Sequence, residues 1–312
     1  MEDETKQPPC TAREQNFISA VVYLHGAAAG TAGFFARLNR LLEARFSQYE
    51  LIAVDDRCSP AVLEELRCWG RELERPLTIV HMSLYQGIER AMNAGLDCAI
   101  GDYIYEFDAP EDDWPEELLG RAYDTALAGS DIVSVCPEHQ RFSSRLFYRI
   151  FNHSSGSAYQ LRTDVFRLVS RRAVNRVYAV SERLSYRKAA YAASGLKMTA
   201  LLFEGGPPHH GEGRFGLAVD SLALYTNAGY RFSVGVTGAM LCAALAELIY
   251  TVVIYVTGRP IEGWTTMMFV LTFGLFGLFA VLAIVLKYLS LILAMTFTRP
   301  TNLVEGIEKI QK

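Results

Sequence analysis

Two long apolar runs near the end of the chain constrain its fold more than any other feature. They are residues 234–257 and 267–286 of the 312-residue sequence. Each approaches the ~20 residues that an α-helix needs to cross the hydrocarbon core of a bilayer. We therefore predict a C-terminal two-helix transmembrane hairpin over residues 234–298, in which residues 287–298 continue along the membrane interface.

The residues that flank the two runs predict the orientation of this hairpin. Arg231 precedes it, and Lys287 and Arg299 follow the second run. Because positively charged flanks stay in the cytosol, we expect both termini and the large domain there, in a multi-pass protein of the inner (cytoplasmic) membrane. The polar residues 1–16 have no apolar core and do not resemble a signal peptide. The six cysteines lack CxxC spacing, which is typical of reduced cytosolic thiols.

The net charge of the chain and one acid in its first apolar run bear on the partners of the protein. The formal net charge is −4, so the chain has no overall signature of a nucleic-acid-binding protein. Glu247 lies inside the first apolar run, where an acid is either functional or paired with a neighbouring hairpin. We favour the second interpretation, which predicts a homo-oligomer.

Residues 17–215 alternate between apolar, β-branched segments and segments with helical spacing. This alternation predicts an α/β domain with a mostly parallel sheet flanked by helices. Two predicted strands end in acids: Tyr49–Val54 is followed by Asp55-Asp56, and Tyr103–Phe107 by Asp108. Since ligands of such sheets bind beyond the carboxyl ends of the strands, we expect these acids in one pocket. Residues 216–233 then form a membrane-proximal amphipathic segment, and residues 299–312 a cytosolic tail.

The order of several short motifs resembles the family-two glycosyltransferases of GT-A (Rossmann-like) fold. The branch that it resembles makes polyprenyl-phosphate sugars at membranes, as dolichol-phosphate mannose synthases and bactoprenol glucosyltransferases do. The resemblance covers nearly the whole chain, from Phe17 into the hairpin. Its motifs are His25-Gly26-Ala27, Asp55-Asp56-Arg57-Cys58-Ser59, Tyr85-Gln86-Gly87, Gly101-Asp102-Tyr103, Phe166–Arg172 and Gly211–Phe215.

The resemblance implies roles for individual residues. It implies an inverting transfer of sugar from a UDP- or GDP-linked donor to a membrane polyprenyl phosphate, for cell-surface glycan synthesis. The donor site would comprise Leu24, His25, Asp55, Asp56, Gly87 and Asp108. The catalytic residues would be Asp108, Asp164 and Arg167, and the lipid phosphate would bind Arg167 and Arg214. We expect Tyr186-Arg187-Lys188 to anchor an amphipathic helix at the membrane surface.

One departure from the family affects the expected cofactor, a divalent cation (Mg²⁺ or Mn²⁺). The metal-binding Asp-x-Asp of the family is Asp108-Ala109-Pro110 here, so the second aspartate is missing. Asp108 remains a candidate metal ligand. Glu106 lies on the same face of the strand as Asp108 and is a weaker candidate, as is His210.

The sequence leaves three functions open: transfer of the sugar to a lipid phosphate, transfer to a hydroxyl of a lipid-linked glycan, and binding without catalysis. A phosphate acceptor is already largely ionised at neutral pH and needs no strong base. A hydroxyl of a lipid-linked glycan would need one, for which Asp164 is the candidate. The missing aspartate also leaves open a non-catalytic protein that binds nucleotide sugars or scaffolds other enzymes.

Overall fold

The computed structural model describes most of the chain outside the apolar runs. The described residues are 13–26, 30–111, 113–140, 159–180, 186–206 and 302–311, with scattered residues between 144 and 152 and between 235 and 292. In chain order the elements are β1 (Ile18–Gly26), α1 (Thr31–Arg45), β2 (Tyr49–Cys58), α2 (Pro60–Gly70), β3 (Leu77–Met82), α3 (Ile88–Cys98), β4 (Tyr103–Phe107), α4 (Glu117–Leu127), β5 (Ile132–Pro137), β6 (Phe166–Ser170), α5 (Arg171–Val180), α6 (Arg187–Ala193), β7 (Met198–Phe203) and β8 (Val304–Ile310).

The strands form one sheet in the order β7-β5-β6-β4-β1-β2-β3-β8. The pairs β1–β2, β1–β4, β2–β3 and β5–β7 are parallel, whereas β6 runs antiparallel between β4 and β5. The prediction of a mostly parallel α/β sheet is therefore confirmed. Because β6 runs backwards, the residues before it lie at the same sheet edge as the residues that follow β4.

One face of the sheet carries the main apolar core. Alternate residues of the central strands, among them Val22, Ala53 and Phe107, pack on this face against α1, α2 and α4. Aromatic rings fill the space near the carboxyl end of β4, where Phe107, Trp114 and Phe166 stack within about 6 Å of one another. This packing holds the end of β4, and with it Asp108, in a fixed position.

The opposite face is covered by α3 and α6. A Cβ atom at Gly95 of α3 would lie 2.5 Å from a side-chain carbon of Val21 and 2.6 Å from one of Val54, so only glycine permits this close approach of helix and sheet. Polar side chains project from the same face at the centre of the sheet, because Glu106 on β4 pairs in register with Arg167 on β6, and Arg167 with Ser134 on β5. The sheet thus presents charged groups to α6.

Residues 304–310, which we expected to belong to a tail, instead form an edge strand of the sheet. Strand β8 pairs antiparallel with β3, and Ile310 is buried against α2. Arg67 of α2 forms an ion pair with Glu308 of β8 at 3.0 Å. By pairing with β3, this short segment covers a strand edge that would otherwise be open. The hydropathy of the sequence alone does not predict this pairing.

The chain divides into two compact units. The sheet domain comprises residues 1–148, 157–212 and 300–312, and the second unit comprises residues 149–156 and 213–299. Most of the predicted hairpin, including Glu247, and all of residues 216–233 lie outside the described residues. Within the part of the chain that is described, no helix is both long and apolar enough to cross a membrane. A Cβ at Gly277 would lie 2.7 Å from the sulfur of Met240, so the backbone at Gly277 lies close to the Met240 side chain.

Candidate active site

Asp108 and Arg167 form the centre of a buried ionic cluster at the carboxyl end of β4. Arg167 is 2% exposed and donates to three carboxylates: Nη2 to Asp108 at 2.7 Å, Nη1 to Glu106 at 3.1 Å and Nε to Asp164 at 3.1 Å. The antiparallel direction of β6 makes this possible, since it places Arg167 opposite Glu106 and Asp164 beside the end of β4. The predicted catalytic residues Asp108, Asp164 and Arg167 are thus brought together.

Helix α6 adds a second buried arginine to this cluster. Arg187 is fully buried, and its Nη2 donates to the second oxygen of Asp108 at 2.7 Å. Its Nε lies 3.4 Å from Glu106 and 3.5 Å from Glu89. Tyr191, one turn further along α6, donates its hydroxyl proton to Glu106. The expectation that residues 186–188 anchor the chain at a membrane surface is wrong, because the carboxylates beneath α6 draw these residues into the interior.

Asp164 is held ionised by the cations around it. Lys188 forms an ion pair with Asp164 and is almost completely buried. Burial opposes the charged form of Asp164, but Arg167 and Lys188 outweigh it and hold the pKa of this carboxyl below its usual value. Burial also raises the pKa of Glu89, even though Arg187 counteracts it. The cluster therefore combines a strongly ionised acid with one that takes up a proton more readily.

The geometry of the carboxylates bears on the expected metal ion. A divalent cation needs carboxylate oxygens as ligands, but both oxygens of Asp108 accept from guanidinium groups and both oxygens of Glu106 also accept hydrogen bonds. Among the described residues no group of three or more acids, histidines or cysteines could hold a metal ion. The residues at the end of β4 therefore do not fit a divalent cation in this arrangement. Arg214 and His210 lie outside the described residues.

The predicted donor residues lie along the same sheet edge, on the far side of β1. Asp56 is fully buried and accepts hydrogen bonds from the backbone N–H groups of Gln86 and Gly87, both at 2.9 Å, and from the Tyr23 hydroxyl at 3.0 Å. Gly87 has φ +82° and begins α3. Asp56 thus fixes the loop before α3.

Exposed aromatic rings line this part of the edge. His25 follows β1, its Nδ1 lies 2.6 Å from the backbone oxygen of Asp56, and its ring lies 4.7 Å from that of Tyr85. Tyr85 is 54% exposed, whereas Leu24 is buried in the core and can offer a ligand only its backbone. A planar heterocycle could stack on the two exposed rings.

Asp55, at the carboxyl end of β2, is linked through His81 to the C-terminal strand β8. One oxygen accepts from the backbone N–H of Cys58, and the other lies 2.8 Å from Nδ1 of His81, whose Nε2 lies 3.2 Å from Glu308. The turn after Asp56 places Arg57 at φ +69°. A side chain in this left-handed region costs about 1–2 kcal/mol.

A pocket of about 210 Å³ opens on the α6 side of the sheet, next to the ionic cluster. Asp164, Arg167 and Lys188 form its charged end, and Arg162 also lines it. Apolar side chains of β5 and β7, such as Ile132 and Met198, line the remainder. The volume is below the 300–1,000 Å³ of typical small-molecule sites, so it suits a small charged group with an apolar extension.

The site residues that sequence reasoning missed are those of α6, with Glu89 and His81. Arg187 and Lys188 look like surface residues because charged side chains are rarely buried without partners. The following run, Ala189-Ala190-Tyr191-Ala192-Ala193, was the available signal, since it has no polar face for solvent.

Comparison with known families and proteins adds an independent observation. The family model described as glycosyl transferase family 2 matches residues 35–189. The chain is 29% identical over 203 residues to an uncharacterized glycosyltransferase of Synechocystis sp., and the match covers 62% of this chain and 63% of that relative. The chain thus spans less than two thirds of that relative. It is 22% identical over 250 residues, 74% of each chain, to an undecaprenyl-phosphate 4-deoxy-4-formamido-L-arabinose transferase of Pseudomonas syringae.

A solved structure shares the fold. The crystal structure of glucosyl-3-phosphoglycerate synthase from Mycobacterium tuberculosis, in complex with Mn²⁺, UDP and phosphoglyceric acid, matches with a TM-score of 0.50. The match is 14% identical and covers 67% of this chain and 76% of that one. At this identity the likeness concerns the fold alone, a mostly parallel sheet flanked by helices.

Proposed function

The chain is a glycosyltransferase of family 2 with the GT-A fold, and on that premise we propose that it transfers a sugar, with inversion, from a nucleotide-sugar donor to a membrane polyprenyl phosphate for cell-surface glycan synthesis. UDP- or GDP-linked sugars are the proposed donors. The proposal for the acceptor agrees with the name of the Pseudomonas relative, an undecaprenyl-phosphate transferase.

The state of Asp164 carries the choice of acceptor. A hydroxyl acceptor needs a general base whose pKa lies near the working pH. Asp164 is the carboxylate that the family resemblance offers for this task, but its pKa is held below its usual value by Arg167 and Lys188. A phosphate monoester needs no such base, since its second pKa is about 6. The ion pairs that Asp164 makes with Arg167 and Lys188 therefore favour a phosphate over a glycan hydroxyl as the acceptor.

The proposed transfer needs no general base. An ionised oxygen of the acceptor phosphate attacks the anomeric carbon of the sugar, and the bond from that carbon to the diphosphate oxygen breaks. The electron pair leaves with the nucleoside diphosphate, so no proton has to move. We propose that the nucleobase stacks near His25 and Tyr85, and that the acceptor phosphate enters the pocket lined by Arg162 and Lys188.

A direct transfer assay tests this function. The full-length chain in detergent would be incubated with radiolabelled UDP- and GDP-sugars and either undecaprenyl phosphate or undecaprenol. We expect labelled lipid only with the phosphate, at a rate that falls as the pH drops below about 6, where the acceptor becomes protonated. Transfer to an alcohol or a glycan hydroxyl, and none to the phosphate, would contradict the proposed acceptor.

A further inference from the structure

The second aspartate of the family's metal-binding motif is missing from this chain. Pro110 stands where related enzymes have the second aspartate of their metal site, so one ligand carboxylate is absent. The remaining carboxylate, Asp108, has each oxygen bound to a different guanidinium group, from Arg167 and Arg187, at 2.7 Å in both cases. A cation that bound Asp108 would have to displace one of these groups.

The cations beside Asp108 are of the kind that can stabilise a departing diphosphate. Negative charge builds up on the diphosphate as the sugar leaves, and either a metal ion or fixed positive groups can stabilise it. Arg167, Arg187 and Lys188 are three buried cations at the carboxyl end of β4, in one cluster with the four carboxylates that pair with them. Their positions are fixed by ion pairs, so little reorganisation is needed when charge develops.

An unsatisfied donor indicates which kind of ligand this cluster can still bind. Nη1 of Arg187 is buried and has no hydrogen-bond partner, whereas its Nε lies within 3.5 Å of the carboxylates of Glu89 and Glu106. Leaving a donor such as Nη1 unpaired in the interior is costly, so a ligand that supplies an acceptor oxygen is favoured there. Phosphate oxygens match the fork of a guanidinium group, whereas a metal ion cannot accept a hydrogen bond from it.

We propose that Arg187, supported by Arg167, binds the diphosphate of the donor in place of the divalent cation used by related enzymes, so that this enzyme binds its nucleotide sugar without a metal. This inference rests on the proposed function and specifies its donor site. Arg187 is then a donor-binding residue, and Asp108 holds it in position.

Nucleotide binding by the unaltered protein gives the first test. The full-length chain in detergent, freed of metals with a chelator, would be titrated with UDP and GDP by calorimetry, in EDTA and in Mn²⁺. We expect the tighter nucleotide to bind with dissociation constants that agree within about twofold between the two buffers. A loss of affinity of tenfold or more in EDTA would overturn the inference but leave the proposed function standing. Absence of binding in both buffers would overturn both.

Variants of Arg187 give the second test. In EDTA, Arg187→Gln should lower the preference for the nucleoside diphosphate over the monophosphate by about tenfold or more, because a charge-assisted contact to the second phosphate is lost. Arg187→Lys should recover part of this preference. A variant that merely weakens the fold would lower both affinities together. An unchanged preference in Arg187→Gln would contradict the proposal.

Arg172→Gln is the matched control for these variants. Arg172 has a side chain that is 73% exposed and pairs with Asp131, away from the cluster. Its replacement removes one positive charge from the domain without touching Asp108. We expect the preference for the diphosphate to stay at the wild-type value, and a fall equal to that of Arg187→Gln would assign the effect to net charge and overturn the proposal.

Discussion

A single residue, Arg167, donates hydrogen bonds to three buried carboxylates, and this makes its removal costly. Breaking a buried ion pair by deleting one partner typically costs 3–5 kcal/mol, because the other charge is left without compensation. We predict that Arg167→Met lowers the free energy of unfolding by about that amount, as measured by denaturant-induced unfolding of the purified chain. Arg172→Met is the control, and it should cost less than about 1 kcal/mol, as is usual for exposed pairs.

Glu89 should make the stability of the protein depend on pH. Burial raises the pKa of Glu89 above its ordinary value of 4.5, so the folded state binds the proton more tightly than the unfolded state. The wild-type protein therefore loses stability as the pH rises from 4.5 through the raised pKa, while Glu89→Gln has no such loss. We expect the free energy of unfolding of the variant, relative to wild type, to increase with pH across that window. Thermal unfolding at several pH values measures it, and a difference independent of pH would contradict the prediction.

At the scale of elements, the C-terminal strand β8 completes the sheet. Ile310 is 7% exposed and packs in the core against α2, whereas Ile307 on the same strand is 54% exposed. Ile310→Ala should therefore cost ~2–5 kcal/mol of stability, as expected for a buried isoleucine. Ile307→Ala removes the same atoms from an exposed position and should change stability by less than about 0.5 kcal/mol. Equal effects in denaturant-induced unfolding would show that β8 does not pair with β3 as described.

The elements that could be predicted from sequence are those with a strong local pattern. Strand β4 was predicted with its observed bounds, Tyr103–Phe107, because an apolar aromatic segment ends there in an aspartate. The grouping of Asp56 and Asp108 at one edge followed from the rule for parallel sheets. Helix α6 and strand β8 could not be placed, because their partners are distant in sequence: Arg187 meets Asp108, and Glu308 meets Arg67.

At the scale of the whole molecule, the connectivity of the sheet domain restricts how the apolar runs can cross a membrane. The chain leaves this domain after residue 212 and returns to it at residue 300. If residues 213–299 cross a bilayer, they cross it an even number of times, since the sheet domain lies on one side.

This connectivity gives a prediction on topology. We predict that reporter groups at residues 2 and 311 are protected together in sealed inner-membrane vesicles or exposed together, and that a reporter near residue 260 behaves in the opposite way. Cysteine labelling with a membrane-impermeant reagent measures this, in a chain whose native cysteines have been replaced. Labelling of all three positions from the same side would contradict the predicted hairpin.

The position of β8 in the chain also has a consequence for biosynthesis. A ribosome makes β3 more than two hundred residues before it makes β8, and the apolar runs emerge in between. During that interval β3 carries an open edge, the kind of surface on which nascent chains associate wrongly. The sheet is therefore completed only after the apolar runs have left the ribosome. The enzyme cannot finish folding before these runs have been synthesised.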